Sequence, residues 1–307
     1  MTSQVMGLAE AVGLPFTHHT MDIKPPWRWL PGQFCPGLLR FGLEPQNTTL
    51  APPWPDLLIS CGRRSAAVAL AIKRRSAGRT RTVHIQDPKL PPHYFDWVVP
   101  PLHDGLTGPN VWPTRGALHR VTPATLRAAA HAQAHRFAHL PPAWVGVLLG
   151  GATRHAQTAS HQIEQLGQQL AQWALQYGLG VVLTPSRRTA PEHLELLRTT
   201  LQATPHFIWD GVGENPYFAI LARARALVVT GDSVSMVSEA ASTGKPLYVA
   251  HLSTYGRRLS RFHQQLAAEG VTRPFPSEWA QWTYEPVNDT PEVARFLRAQ
   301  LGLVSAE

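Results

Sequence analysis

The feature that most limits the fold of this chain is a rhythm. Short apolar runs alternate with helical stretches, twice over, on either side of a proline-marked joint. In the first round "PDLLISCG" (55–62) reads as a buried strand and "RRSAAVALAIKRRSAG" (63–78) as a helix with an Ala/Val/Leu/Ile face. "TRTVHIQ" (80–86) and "FDWVVP" (95–100) are further strands, residues 123–138 are helical, and "HLPPAW" (139–144) is the joint. Beyond it strands fall at 144–151, 180–186, 206–211, 226–231 and 246–250. Helices lie near 156–177, 190–202, 215–225, 233–243 and 256–269. Strands alternating with helices require parallel sheets covered on both faces. The pattern predicts an α/β protein of two doubly wound, Rossmann-like domains with a cleft between them, at 1–141 and 142–290. A C-terminal helix and tail over 291–307 is expected to return toward the first domain, with Thr290 as N-cap and Pro291 at its first position.

A chain of 307 residues is long enough for two cores. Its 44% apolar and 16% charged content excludes a disordered chain. No apolar run approaches the ~20 residues of a membrane span, and the N-terminus lacks a secretory pattern. Cys35 and Cys61 are too few for a disulfide framework, so a cytoplasmic setting is expected. The formal charge is +8, and of 28 Lys and Arg residues only Lys24, Lys73, Lys89 and Lys245 are lysines. Arginine suits phosphate-bearing ligands through its guanidinium fork, and it equally suits an anionic membrane. A base-composition origin explains the charge as well, and no nucleic-acid module is legible.

In open parallel sheets, ligands sit beyond the carboxyl ends of the strands, where helix N-termini present free N–H groups. Three such places in the second domain look alike. "LLGGATRH" offers Gly150 and Gly151 for close backbone approach, with Thr153 and Arg154 at the helix mouth. "LTPSRRT" brings Ser186, Arg187 and Arg188; "VTGDSVSM" brings Asp232, Ser233, Ser235 and Met236 as an anion cradle. One glycine pair is ordinarily a tight turn; three alike on one rim predict diphosphate binding. Glu239, about a turn and a half into the helix, is placed to accept from ribose hydroxyls, or is a solvated glutamate. Trp209 is a base-stacking candidate or a core residue at a strand end.

The first domain has its own rim. Gly62, Arg63, Arg64 and Ser65 lie between a strand and a helix, and "PPLHDGLTGPNV" (100–111) holds His103, Asp104 and Asn110. A His–Asp pair on a loop is a candidate general base; the alternative is a turn at Asp104-Gly105. No zinc spacing appears among the fifteen histidines, and no metal is expected.

"DSVSMVSEAASTGKPLYV", "TPSRRT", "WDGVGENPYFAILA", "HDGLTGPNVWPTRGALHRVTP" and "SCGRRSAAVALAIKR" together resemble the bacterial branch of the mitochondrial fission (elongated mitochondria) family, from about Gly7 to Leu301. The second domain is similar, more distantly, to the donor-binding half of GT-B glycosyltransferases and of nucleotide-sugar 2-epimerases. In those a helix glutamate holds the ribose, and the matching position is Glu239. The resemblance implies a GT-B-like protein that binds a nucleotide-sugar as substrate, needs no cofactor, and transfers the sugar to an acceptor, with lipid-linked acceptors among the candidates. It implies alternatives too: a nucleoside-diphosphate-sugar 2-epimerase, or a non-catalytic scaffold using the Pro- and Trp-rich segment 25–54. Family members begin with an apolar strand and a glycine-rich turn before the "GLAEA" helix. This sequence starts at "MTSQVMGLAEA", so the expectation is either a misplaced start or a first sheet lacking that strand. The expected location is cytoplasmic, with peripheral contact to the inner membrane.

Overall fold

The computed structural model describes residues 1–44, 50–151 and 158–303. The chain divides into two units, one of Met1–Arg120 with Asp289–Glu307, the other of Val121–Asn288.

The first unit begins with α1 (Thr2–Val12) and the single turn α2 (Leu38–Phe41), followed by β1 (Leu57–Cys61), α3 (Arg63–Arg75), β2 (Arg81–Ile85) and β3 (Trp97–Val99). The strands are parallel in the order β1-β2-β3, with Ile59 opposite Val83 and Val83 opposite Trp97. Free of Gly and Pro and rich in Ala, α3 is a strong helix former. It packs Ala66, Ala69 and Leu70 with Phe95 and Val98, and Ala67, Val68 and Ile72 with Ile23 and Leu38. At the amino ends of β2 and β3, the Asp96 carboxylate accepts from Thr82 N (2.9 Å), Thr82 Oγ1 (2.8 Å) and Arg81 Nη1 (3.1 Å), with Lys73 Nζ at 2.8 Å. Burial alone would raise its pKa, but these donors hold it at about 2.

The second unit runs α4 (Pro123–Ala132), β4 (Trp144–Leu149), α5 (Ser160–Tyr177), β5 (Gly180–Pro185), α6 (Pro191–Leu201), β6 (His206–Ile208), α7 (Tyr217–Arg223), β7 (Ala226–Thr230), α8 (Val234–Ala241), β8 (Leu247–Ala250), α9 (Arg257–Ala268) and β9 (Thr272–Phe275). Its six parallel strands lie in the order β6-β5-β4-β7-β8-β9. This is the doubly wound nucleotide-binding order, and the winding reverses between β4 and β7. Every residue of β4 and β7 is buried, as a sheet covered on both faces requires. Val145, Val147 and Leu149 pack with α5 and α6, while Leu148, Leu227 and Val229 pack with α7, α8 and α9.

The division falls before Val121, some twenty residues ahead of the proline joint, because α4 packs on α7 and sets Leu126 and Ala129 against the second unit's core. The last helix, α10 (Thr290–Gln300), packs on α1. Its start differs from the expectation in detail. Asp289 is the N-cap and makes no side-chain cap bond; its carboxylate accepts instead from Arg115 N (2.8 Å) and Gly116 N (3.2 Å). Thr290 Oγ1 accepts from His119 N (3.1 Å). Both side chains tie the helix start to the 115–119 loop.

Candidate functional site

The carboxyl ends of β4, β5 and β7 carry one continuous polar network. Gly150 N donates to Thr230 Oγ1 (2.7 Å), and that hydroxyl donates to Asp232 Oδ1 (2.7 Å). Asp232 Oδ2 accepts from Gly151 N (3.3 Å) and from Arg188 Nη2 (2.9 Å). Arg188 also reaches Gly151 O through Nη1 (3.3 Å). The β5 loop is fastened beside it: Ser186 N donates to Leu149 O (2.7 Å), and Thr189 Oγ1 donates to Gly150 O (2.6 Å).

Only glycine fits at the two positions after β4. A Cβ on Gly150 would lie 1.9 Å from Asp232 Oδ1, and one on Gly151 would lie 2.2 Å from Arg188 O. The sequence therefore uses glycine here to let an aspartate and an arginine from neighbouring loops close on the backbone. Gly150, Gly151, Ser186, Arg188 and Asp232, inferred separately from sequence, belong to one cluster. Arg187 is exposed beside it. Thr153 and Arg154 lie outside the described residues.

Asp232 opens α8, and Ser233 is its N-cap, accepting from Met236 N at 3.4 Å. Ser235 is half-buried in the first turn. The Met236 side chain packs on the core, so it contributes its backbone to the helix mouth rather than a lining group. Farther along, Glu239 is 8% exposed, which removes the solvated-glutamate alternative. Its Oε2 accepts a short hydrogen bond from the Tyr217 hydroxyl. Burial first, and then the Glu239 charge and that bond, raise the Tyr217 pKa well above its ordinary value. Asn215 sets the start of α7: its Oδ1 accepts from Thr184 Oγ1 (2.9 Å) and Tyr217 N (3.0 Å). Trp209 is half-buried, and its indole N–H donates to Val212 O (3.0 Å), pinning the turn that leads there.

Thr189 belongs to the "LTPSRRT" loop singled out from sequence, whereas Thr230 and Tyr217 are the members the sequence reading missed. Tyr217 opens α7, 22 positions before Glu239, and only the fold brings its hydroxyl to that carboxylate.

The first unit's rim is arranged differently. Gly62 caps α3 with φ 88°, and a Cβ there would lie 2.5 Å from Met1 Sδ. The Ser65 hydroxyl donates to Gly62 O (2.9 Å), Arg64 Nη1 lies 3.4 Å from Asp22 Oδ1, and Arg63 is exposed. Asn110 Nδ2 donates to Pro92 O and Phe95 O, both at 2.8 Å, so its amide is a loop clamp. His103 Nε2 and Asp104 Oδ1 are 3.5 Å apart in a 3-10 turn after β3, with side chains 6% and 1% exposed. Among the described residues no group of three or more His, Cys, Asp or Glu could hold a metal ion, and no helix is long and apolar enough to cross a membrane.

The two sheets define an α/β protein built on parallel strands. The chain is similar to the solved structure of UDP-GlcNAc 2-epimerase from Methanocaldococcus jannaschii, with a TM-score of 0.56 at 13% identity over 81% of this chain and 77% of that one. The family is narrower: the model of Mitochondrial fission ELM1 matches residues 1–301, and the chain belongs to that family. Mitochondrial fission protein ELM1 of Arabidopsis thaliana is 33% identical over 276 residues, 80% of this chain. The match spans 64% of the Arabidopsis protein. Uncharacterized protein RP120 of Rickettsia prowazekii (strain Madrid E) is 26% identical over 287 residues, 80% of each chain.

Proposed function

We propose that the chain binds a nucleoside-diphosphate-sugar on the second unit and acts as a metal-independent GT-B-like glycosyltransferase. The observation that supports this best is the meeting of the β4, β5 and β7 ends at the point where the sheet's winding reverses. In this reading the Gly151 amide, the α8 start with Ser233 and Ser235, and the Arg187 and Arg188 guanidiniums take the diphosphate. The guanidiniums neutralise the leaving group as the glycosidic bond to it breaks. Glu239, oriented by Tyr217, accepts from the ribose hydroxyls, and Trp209 flanks the base. His103, with Asp104 beside it, is the candidate base of the first unit. The nucleotide-sugar is a substrate, so no cofactor is consumed. The acceptor class is lipid-linked, and the setting is the cytoplasm with peripheral contact to an anionic membrane.

Thermal unfolding with UDP-, GDP-, ADP- and CMP-sugars tests this. A ligand at a hundredfold its dissociation constant stabilises by about 2.7 kcal/mol. A shift with one base and not the others is expected; no shift with any removes the nucleotide-sugar reading. Incubating the responding donor alone separates the 2-epimerase alternative, which converts the sugar without an acceptor. The scaffold alternative has the exposed Trp29, Phe34 and Phe41 in its favour and expects no nucleotide response.

A further inference from the structure

The loop over residues 24–43 of the first unit is fastened at its ends and in its middle. Lys24 N donates to Gly42 O (2.8 Å), Ile23 bridges Leu43, Trp27 Nε1 donates to Pro36 O (2.7 Å), and Arg74 Nη1 donates to Gln33 O (2.8 Å). Leu38 is buried against Val68 and Ile72, which gives the loop an apolar footing on α3. With that footing in place, the loop still holds Trp29 72%, Phe34 67% and Phe41 57% exposed. Three large aromatic side chains on one fixed loop, turned away from the core beneath them, are unlike scattered surface apolar residues. The loop's own charges have a single sign, with Asp22, which lies 3.4 Å from Arg64, and Glu44 at its two ends. From Ile23 to Leu43 the sequence contains Lys24, Arg28 and Arg40 and no Asp or Glu. The Arg40 guanidinium lies over the Phe41 ring, 5.0 Å from its centre.

We infer that this loop is the docking surface for an anionic bilayer. The inference rests on the peripheral membrane contact proposed above and gives it an address. Trp29, Phe34 and Phe41 enter the boundary between headgroups and acyl chains, while Arg28 and Arg40 meet lipid phosphates. A loop already fixed by its own hydrogen bonds loses little conformational freedom on docking. A protein partner would have to supply acids and a matching shape; a bilayer asks only for protruding aromatics with cations among them.

The test is co-sedimentation of the full chain with vesicles of phosphatidylcholine mixed with phosphatidylglycerol, against phosphatidylcholine alone. The parent is expected to pellet with the anionic vesicles and to be released by salt. The combined Trp29→Ser, Phe34→Ser and Phe41→Ser variant should bind at least about tenfold more weakly, with an unchanged circular dichroism spectrum. Arg28→Gln with Arg40→Gln should move binding the same way. Brominated lipids should quench tryptophan emission in the parent, and Trp29→Phe should remove the quenched fraction while keeping an aromatic ring. Binding of the triple variant equal to the parent, or no change of quenching in Trp29→Phe, overturns this surface and leaves membrane association standing. A parent that pellets with neither vesicle overturns both, and self-association abolished by the triple variant would then make a second copy the occupant.

Discussion

Each sheet is edged by an aspartate held by cations, and the two aspartates stand at opposite ends of their strands. In the first unit Asp96 gathers Lys73, Arg81 and Thr82 at the amino ends of β2 and β3. In the second, Asp232 gathers Arg188, Thr230 and Gly151 at the carboxyl ends of β4 and β7. Helix N-termini, with their free N–H groups, open at carboxyl ends; amino ends offer an anion nothing comparable. The Asp96 cluster is accordingly a fastening of strand to helix, while the Asp232 cluster stands where ligands bind in folds of this kind. The glycines repeat the contrast. Gly62 lies under a flexible methionine side chain, whereas Gly150 and Gly151 lie under a carboxylate and a backbone carbonyl.

Exchange of these glycines would break the comparison most visibly. Gly150→Ala puts a methyl into Asp232 and should cost about 3 kcal/mol of stability, together with nucleotide binding. Gly62→Ala is strained by its φ and should cost about 1–2 kcal/mol, leaving nucleotide affinity unchanged. Denaturant titration and calorimetric binding on both variants measure this; equal loss of affinity in the two would erase the distinction.

Glu239→Ala should lower affinity for a nucleotide-sugar at least about tenfold and leave the Tyr217 hydroxyl buried without its acceptor, at about 1–3 kcal/mol. Glu239→Gln keeps an acceptor for that hydroxyl, so it should retain more of the stability while losing affinity. Unchanged affinity in both would take Glu239 out of the site. Arg188 is 42% exposed in its side chain, so Arg188→Gln should change stability by less than about 1 kcal/mol. Its diphosphate affinity should still fall about tenfold, since a charge-assisted contact is lost. A stability loss without an affinity loss would make Arg188 a second fastening of the Asp96 kind.

The smallest effect is the acid response of Asp96. Its folded pKa of about 2 lies below the ordinary carboxylate value, so its contribution is present above about pH 4 and is lost as the pH falls toward 2. Asp96→Asn should be less stable than the parent at neutral pH by about 1 kcal/mol or less, given solvent screening, with the gap closing across that acid window. A gap that persists at pH 2 would make the lost bond to Thr82, rather than the charge, the cause.

Much of this fold was legible because alternation of apolar runs with helices leaves few architectures open, and the strands from β1 to β8 fall within the expected runs. β9 was not legible: "TRPF" has Arg273 and Pro274 in its middle, tolerable only because the strand lies at the sheet edge. The two units divide at Val121, ahead of the proline joint taken as punctuation, where α4 packs on α7. Within the site, the glycine pair and the Arg- and Asp-bearing loops were visible because each follows a strand directly. The Glu239 partner was not, because Tyr217 is 22 positions away and only the folded sheet makes them neighbours.

The Asp232 carboxylate has a further consequence if a diphosphate binds beside it. Arg188 is already steered into position by an internal anion, so an arriving phosphate need not first immobilise a wandering guanidinium. The same aspartate repels the newcomer, and it reclaims the arginine when the diphosphate departs. Such a seat favours brisk exchange over tenacious retention, which suits a catalyst that must shed a charged by-product every cycle.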